Sequence, residues 1–168
     1  MDDHLTGRQG APGDGESPVL FATIAPRYDL MNHLMSAGLD VAWRRRACGL
    51  LDGLADGPVL DLGTGTADLA VTLARRLSQA RIAGLDPSPQ MLALGQRKLA
   101  DHRLRDRVAL LRGDALSLPF AEASCAAVVS AVVLRNLPNL PQALREMRRV
   151  VVPGGPVLCL ELAWPQTP

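Results

Sequence analysis

The feature that most constrains this chain is a junction of strand, glycine turn and helix near its middle. Pro58 to Leu62 is a short apolar run, the pattern of a buried strand. It runs into Asp61-Leu62-Gly63-Thr64-Gly65-Thr66-Ala67-Asp68, and Ala67 to Leu77 then carries apolar residues at helical spacing. Gly63 and Gly65 let the backbone bend sharply and approach a ligand closely. A helix that opens directly after such a turn points its free amides at whatever lies above it.

The same alternation continues to the end of the chain. Arg81 to Leu85 reads as a second strand ended by Asp86, and Gln90 to Leu99 as a helix opened by Pro87, Ser88 and Pro89. Val108 to Leu111 is a third strand. Ala126 to Val133 is a fourth, whose unbroken Ala/Val composition implies burial on both faces. Leu140 to Val151 is a helix stopped by Pro153, Gly154 and Gly155, and Val157 to Leu162 is a fifth strand. Strands alternating with helices predict an α/β fold: a parallel sheet with helices on both faces. Upstream, residues 1–17 are polar and rich in Gly and Pro, which predicts a disordered arm. Helices are expected over 18–54, with Phe21, Ile24, Tyr28, Met31 and Met35 at helical spacing and a second helix holding Val41, Trp43 and Leu50. The core is expected over 57–165 and the whole domain over 18–168. Of the adjacent Arg44, Arg45 and Arg46, at least two must be solvated or meet an anion.

Composition narrows the partners. The 168 residues carry a formal net charge of +1 and only 3% aromatics, so neither an electrostatic nucleic-acid surface nor a base-stacking platform is expected. Cys48, Cys125 and Cys159 lie far apart in apolar surroundings; they read as buried thiols of a reducing cytoplasm, and no metal site is expected. The N-terminus has no basic region followed by an apolar stretch, and no apolar run is long enough to cross a bilayer.

Three carboxylates give the turn a chemistry. Asp61 sits at its start. Asp86 ends the second strand roughly 20 residues past the glycines, where a carboxylate can accept hydrogen bonds from both ribose hydroxyls. Asp114, in Gly113-Asp114-Ala115 just past the third strand, can accept one from an adenine amino group. All lie at strand C-termini, where open α/β sheets bind ligands. Asp68 stands where the third glycine of a dinucleotide turn would be, which favours S-adenosylmethionine over a dinucleotide. The competing reading is that the acids only cap helices and turns.

From about Phe21 to Pro165 the chain resembles the ubiquinone/menaquinone biosynthesis C-methyltransferases. The resemblance rests on Phe21-Ala22-Thr23-Ile24-Ala25-Pro26-Arg27-Tyr28-Asp29-Leu30-Met31-Asn32, on Ser36, Gly38 and Trp43-Arg44-Arg45, and on Gly113-Asp114-Ala115 with Leu118-Pro119-Phe120. Leu134-Arg135-Asn136, Pro153-Gly154-Gly155 and Leu160-Glu161 complete it. It implies a Rossmann-like class I methyltransferase fold and transfer of a methyl group to a ring carbon of a prenylated quinol, demethylmenaquinol first. It implies cofactor contacts at Thr66, Asp86, Asp114 and Ala115, to which Asp61, Gly63, Gly65 and Ala131 are added. Arg135, Asn136 and Tyr28 would lie near the methyl acceptor and serve catalysis. An arginine is a planar cationic donor suited to stabilising phenolate charge, and a poor base. The competing reading of Arg135 is a salt bridge to a neighbouring helix.

The chain also departs from the family. Ala67 replaces a usual glycine and could crowd the cofactor's methionine end. Cys125-Ala126 replaces Phe-Asp, Val132-Val133 replaces Phe-Gly, Ala131 replaces a frequent Ser or Thr, and Leu162-Ala163 replaces Phe-Ser. The family continues past Pro165 into a final β-hairpin. Without that hairpin, the fifth strand is an apolar edge. The expectation is completion by a partner chain, self-association along that edge, or an inactive fragment. A non-catalytic subunit and a methyltransferase for another small aromatic metabolite remain as alternatives. A membrane-dissolved substrate would place the enzyme in peripheral contact with the membrane, with Phe21, Met31, Met35 and Trp43 near the basic run; a solvated basic face is the bland alternative.

Overall fold

The computed structural model describes residues 39–54 and 56–161. The expected arm over 1–17, the helix bearing Tyr28, and residues 162–168 lie outside the described residues. Helix α1 (Leu39–Gly49) leads to strand β1 (Val59–Leu62), followed by α2 (Asp68–Arg76), β2 (Ile82–Asp86), α3 (Pro89–Asp101), β3 (Val108–Arg112), β4 (Ala127–Ala131), a 3₁₀ turn (Leu134–Asn136), α4 (Leu140–Val150) and β5 (Val157–Leu160).

The five strands form one sheet in the order β3-β2-β1-β4-β5, every pair parallel. This is a Rossmann-like arrangement. The chain leaves β1 toward β2 on one side and later returns to β4 on the other, so a crevice opens above the C-terminal ends of β1 and β4. Side chains alternate across the sheet. Val59, Ile82, Val108, Ala127 and Val129 pack with Cys48, Leu73 and Leu99 from α1, α2 and α3. On the opposite face, Leu60, Leu62, Leu85 and Val128 pack with Ala143, Met147 and Val150 of α4. β4 is covered on both faces, as its Ala/Val run predicts.

Local chemistry sets the helix ends. Ser88 Oγ accepts the Met91 amide at 3.3 Å with Pro89 in the first turn, and Asn139 Oδ1 accepts the Gln142 amide at 3.1 Å. The C-terminus of α2 is closed by a distant residue. The Arg107 guanidinium donates to Ala74 O and Ala80 O at 2.8 Å each and also to Leu77 O. These carbonyls belong to the end of α2 and the turn after it, where helical partners run out.

One expectation is corrected. Cys48 and Cys125 are buried, but Cys159 is exposed. It lies on β5, an edge strand, and alternates with Leu158, which packs inward against the core. Among the described residues, no helix is long and apolar enough to cross a membrane.

Arg107→Leu should lower the free energy of unfolding by about 1–3 kcal/mol, because it strips three carbonyls of a charged donor. Arg107→Lys should recover only part of this, since an ammonium cannot reproduce the planar fork. Urea denaturation followed by circular dichroism measures both.

Candidate active site

The turn after β1 is built on left-handed backbone. Gly63, Gly65 and Ala67 have φ of 71°, 54° and 68°. The Gly63 and Thr64 amides both donate to Leu85 O, at 2.8 and 3.0 Å, which ties the turn to β2. The two glycines are required for different reasons. A Cβ on Gly63 would lie 2.4 Å from Val133 Cγ2, so the turn after β4 packs directly on that backbone. Among the described residues, a Cβ on Gly65 would meet nothing within 4 Å. Ala67 is fully buried, and its methyl lies 3.2 Å from where a Cβ on Gly95 of α3 would stand. Its methyl therefore packs toward α3, and the departure from glycine is felt in the backbone, where left-handed alanine costs roughly 1–2 kcal/mol.

The acids play unequal parts. Asp61 is only 1% exposed, and its Oδ2 accepts the Thr64 hydroxyl at 2.6 Å. It lies two residues beyond Val59 and shares that face of β1, so it sits beneath the turn on the side covered by α1 and α2. Burial pushes its carboxyl up to about 7; the Thr64 hydrogen bond opposes this, and the negative charge of Asp86 adds to it. Asp61 thus shapes the turn from below. Asp86, 8% exposed, reaches across from β2: its Oδ2 accepts the Gly65 amide and its Oδ1 the Ser88 amide, each at 2.9 Å. Burial raises its pKa, and these two amides oppose the rise. A carboxylate offers about four lone-pair sites, so two bonds leave capacity for a diol. Asp114 is exposed and accepts the Leu116 amide at 2.9 Å through Oδ1, an Asx turn. Ala115 beside it is buried, and Ala131 at the end of β4 is half-buried against the core. Asp86 and Asp114 therefore hold turns, as the capping alternative has it, and keep acceptor capacity as well.

Thr66 is buried and leads to a residue that sequence reasoning missed. Lys98, on the last turn of α3, donates to Thr66 Oγ1 at 3.1 Å and pairs with Asp68 Oδ1 at 2.5 Å. Arg44 Nη1 of α1 lies 3.6 Å from Asp68 Oδ2. Arg45 and Arg46 are exposed, so the basic run divides between an anion and solvent as expected. No local pattern marks Lys98, because its partners are about 30 residues away.

The residues expected near the acceptor follow β4. Val132 has a φ of 60°, rare for a β-branched residue, and the 3₁₀ turn carries Arg135 and Asn136. Both are exposed, and Arg135 Nε lies 4.0 Å from Glu161 Oε2. Tyr28 lies outside the described residues. The fold thus brings the glycine turn, Asp86 and the Leu134-Arg135-Asn136 turn to one end of the sheet, with Val133 against Gly63 as their contact.

Three substitutions test this geometry. Gly63→Ala should cost roughly 2 kcal/mol or more of stability, from left-handed strain and overpacking. In a Val133→Ala background the cost should fall, a coupling that a double-mutant cycle in urea reads directly. Asp61 has its pKa raised on folding, so the native state holds its proton more tightly. Stability on its account is fully present below about pH 4 and is lost as pH rises to about 7. Asp61→Asn should remove that decline, and the unfolding free energies of the two proteins should diverge between pH 4 and 7 by on the order of 1 kcal/mol or more.

The family described as the ubiE/COQ5 methyltransferase family matches residues 14–168. Demethylmenaquinone methyltransferase of Thermus thermophilus is 44% identical over 146 residues, covering 87% of this chain and 66% of the relative. The enzyme of that name from Deinococcus radiodurans is 45% identical over 148 residues, covering 87% and 60%. That from Porphyromonas gingivalis is 39% identical over 155 residues, covering 92% and 63%. The chain therefore spans 60–66% of the length of these curated relatives. Among solved structures, a candidate S-adenosyl-L-methionine-dependent methyltransferase of Methanococcus maripaludis superposes with a TM-score of 0.70 at 21% identity, covering 93% of this chain and 68% of that one. The fold is that of Rossmann-like class I methyltransferases, and the chain belongs to the ubiE/COQ5 methyltransferase family.

Proposed function

We propose that this chain binds S-adenosylmethionine above the Gly63–Gly65 turn and methylates a ring carbon of a prenylated quinol, demethylmenaquinol foremost. The observation that carries the reading is the joining of two turns: Asp86 holds the Gly65 amide, and Val133, next to the Arg135 turn, packs on Gly63. The residues present fit the cofactor. No described residue crowds Gly65, Asp86 retains acceptor capacity for ribose hydroxyls, and Asp114 does so for an adenine amino group. When bound, the cofactor supplies an electrophilic sulfonium methyl.

The chain's own residues do the rest. A ring carbon becomes nucleophilic enough only when its adjacent hydroxyl loses a proton, so the site must stabilise phenolate-like charge. The Arg135 guanidinium does so as a planar cation. Water held by Asn136 or Tyr28 takes the proton. The turn after β4 aligns the acceptor with the cofactor turn it touches. The relatives' names, demethylmenaquinone methyltransferase, support this acceptor. Trp43, Arg46 and Leu50 border a cavity of about 250 Å³ against β4 and β5, and Leu50 is 69% exposed. An apolar margin beside exposed arginines suits peripheral contact with the membrane that dissolves such a quinol. Among the described residues β5 is an edge strand, which suits pairing with a further strand, from a second copy or a partner chain.

Calorimetric titration with S-adenosylmethionine should show binding by the folded chain. Asp86→Ala should weaken it about 10–100-fold, the worth of hydrogen bonds to a charged group. Absence of binding by the well-folded chain would overturn the reading. Methylation of other phenols, with demethylmenaquinol left untouched, would reassign the acceptor.

A further inference from the structure

We infer that Glu161 is the positioning residue for Arg135, and that it works by gripping the backbone of the turn that carries it. The end of β5 takes three successive amides from the segment after β4. Leu160 O accepts the Val132 amide at 2.7 Å, and Glu161 Oε1 accepts both the Val133 and Leu134 amides, each at 2.8 Å. The first amides of a helical turn have no partner within it, so a carboxylate placed there fixes where the turn begins. The other oxygen, Oε2, faces Arg135 Nε at 4.0 Å, so one side chain addresses the turn and its cation together. The backbone it holds is strained: Val132 has a φ of 60°. Without that grip the segment has reason to relax, and Arg135 and Asn136 move with it. Val133, one of the gripped residues, also packs on Gly63, so Glu161 sets the acceptor turn relative to the cofactor turn.

The inference rests on the reading of Arg135 as the group that meets the acceptor, and its test separates the two. In the ¹⁵N-labelled 168-residue chain, exchange of the Val133 and Leu134 amides and the Arg135 Nε–H signal (assigned with Arg135→Lys) are compared with Glu161→Gln and Glu161→Ala. In parallel, kcat and KM are measured with S-adenosylmethionine and 1,4-naphthoquinol. Glu161→Ala should speed exchange of both amides at least about 10-fold and shift the Arg135 Nε–H signal. It should lower kcat about 10–100-fold with KM for S-adenosylmethionine nearly unchanged. Glu161→Gln keeps an acceptor for the amides and should restore their protection, recover part of kcat, and still shift the Arg135 signal because the charge is gone. If Glu161→Ala does not fold, the Glu161→Gln signal decides. An Arg135 signal identical to wild type in a folded variant overturns the positioning role, whatever the activity. A wild-type chain that transfers no methyl group, yet shows the expected shifts, overturns the acceptor reading and leaves the grip of Glu161 on Arg135 standing.

Discussion

The turn after β1 depends on a carboxylate that has almost no access to water. Asp61 lies under it, bonded to the Thr64 hydroxyl, at the end of the central strand. Burying a carboxylate disfavours its charge, and the raised pKa of Asp61 reflects a burial cost that the Thr64 hydroxyl and the Ala70 backbone hydrogen bond do not fully offset. An apolar residue would be cheaper there by itself. What Asp61 supplies is direction: its bond to Thr64 holds the first half of a left-handed turn, and Asp86 holds the second half through Gly65. The two carboxylates approach from below and from the neighbouring strand, so the turn is pinned from two sides, and among the described residues nothing crowds it at Gly65.

That division explains how charge is distributed around the crevice. Acids gather at the C-terminal ends of β1, β2 and β3, where a cationic sulfonium and the ribose of the proposed cofactor would be received. Arg135 stands on the turn after β4, where negative charge would develop on the acceptor. Arg44 and Lys98 pair with Asp68 at the start of α2, and Lys98 also braces the turn from the helix side through Thr66. The sheet order makes this possible: β1 and β4 are neighbours, so the two turns of opposite charge preference touch at Gly63 and Val133.

Much of this was legible in the sequence because it is local. The alternation of apolar runs and helical spacing located the strands and helices to within a few residues, and the glycine turn and Asp86 followed from their place in that alternation. The inward aim of Asp61 was legible too, had strand parity been applied: it shares a face with Val59. The burial of Lys98 against Thr66, the grip of Glu161 on the β4 turn and the contact of Val133 with Gly63 were not legible. Each joins residues that only the sheet order brings together. The exposure of Cys159 was hidden for the same reason, since an apolar strand reads alike at the centre of a sheet and at its edge.

The departures from the family gain a physical sense from these contacts. Ala67 turns its methyl toward the close approach of α3 at Gly95, and Val133 lays its side chain on Gly63; in each case the added carbon atoms fill space between two backbones. Extra packing of this kind stiffens the junctions between turn and helix and between turn and turn. It carries a cost, because Ala67 and Val132 both hold left-handed backbone that glycine would adopt freely. Such strain persists only where surrounding bonds over-determine the conformation. Here they do: the Ala67 amide donates to Thr64 O at 2.8 Å, and the amides of Val132, Val133 and Leu134 donate to Leu160 O and the Glu161 carboxylate at the end of β5. The strained positions lie beside the two turns that meet, so the stored energy sits where the relative placement of cofactor and acceptor would be decided.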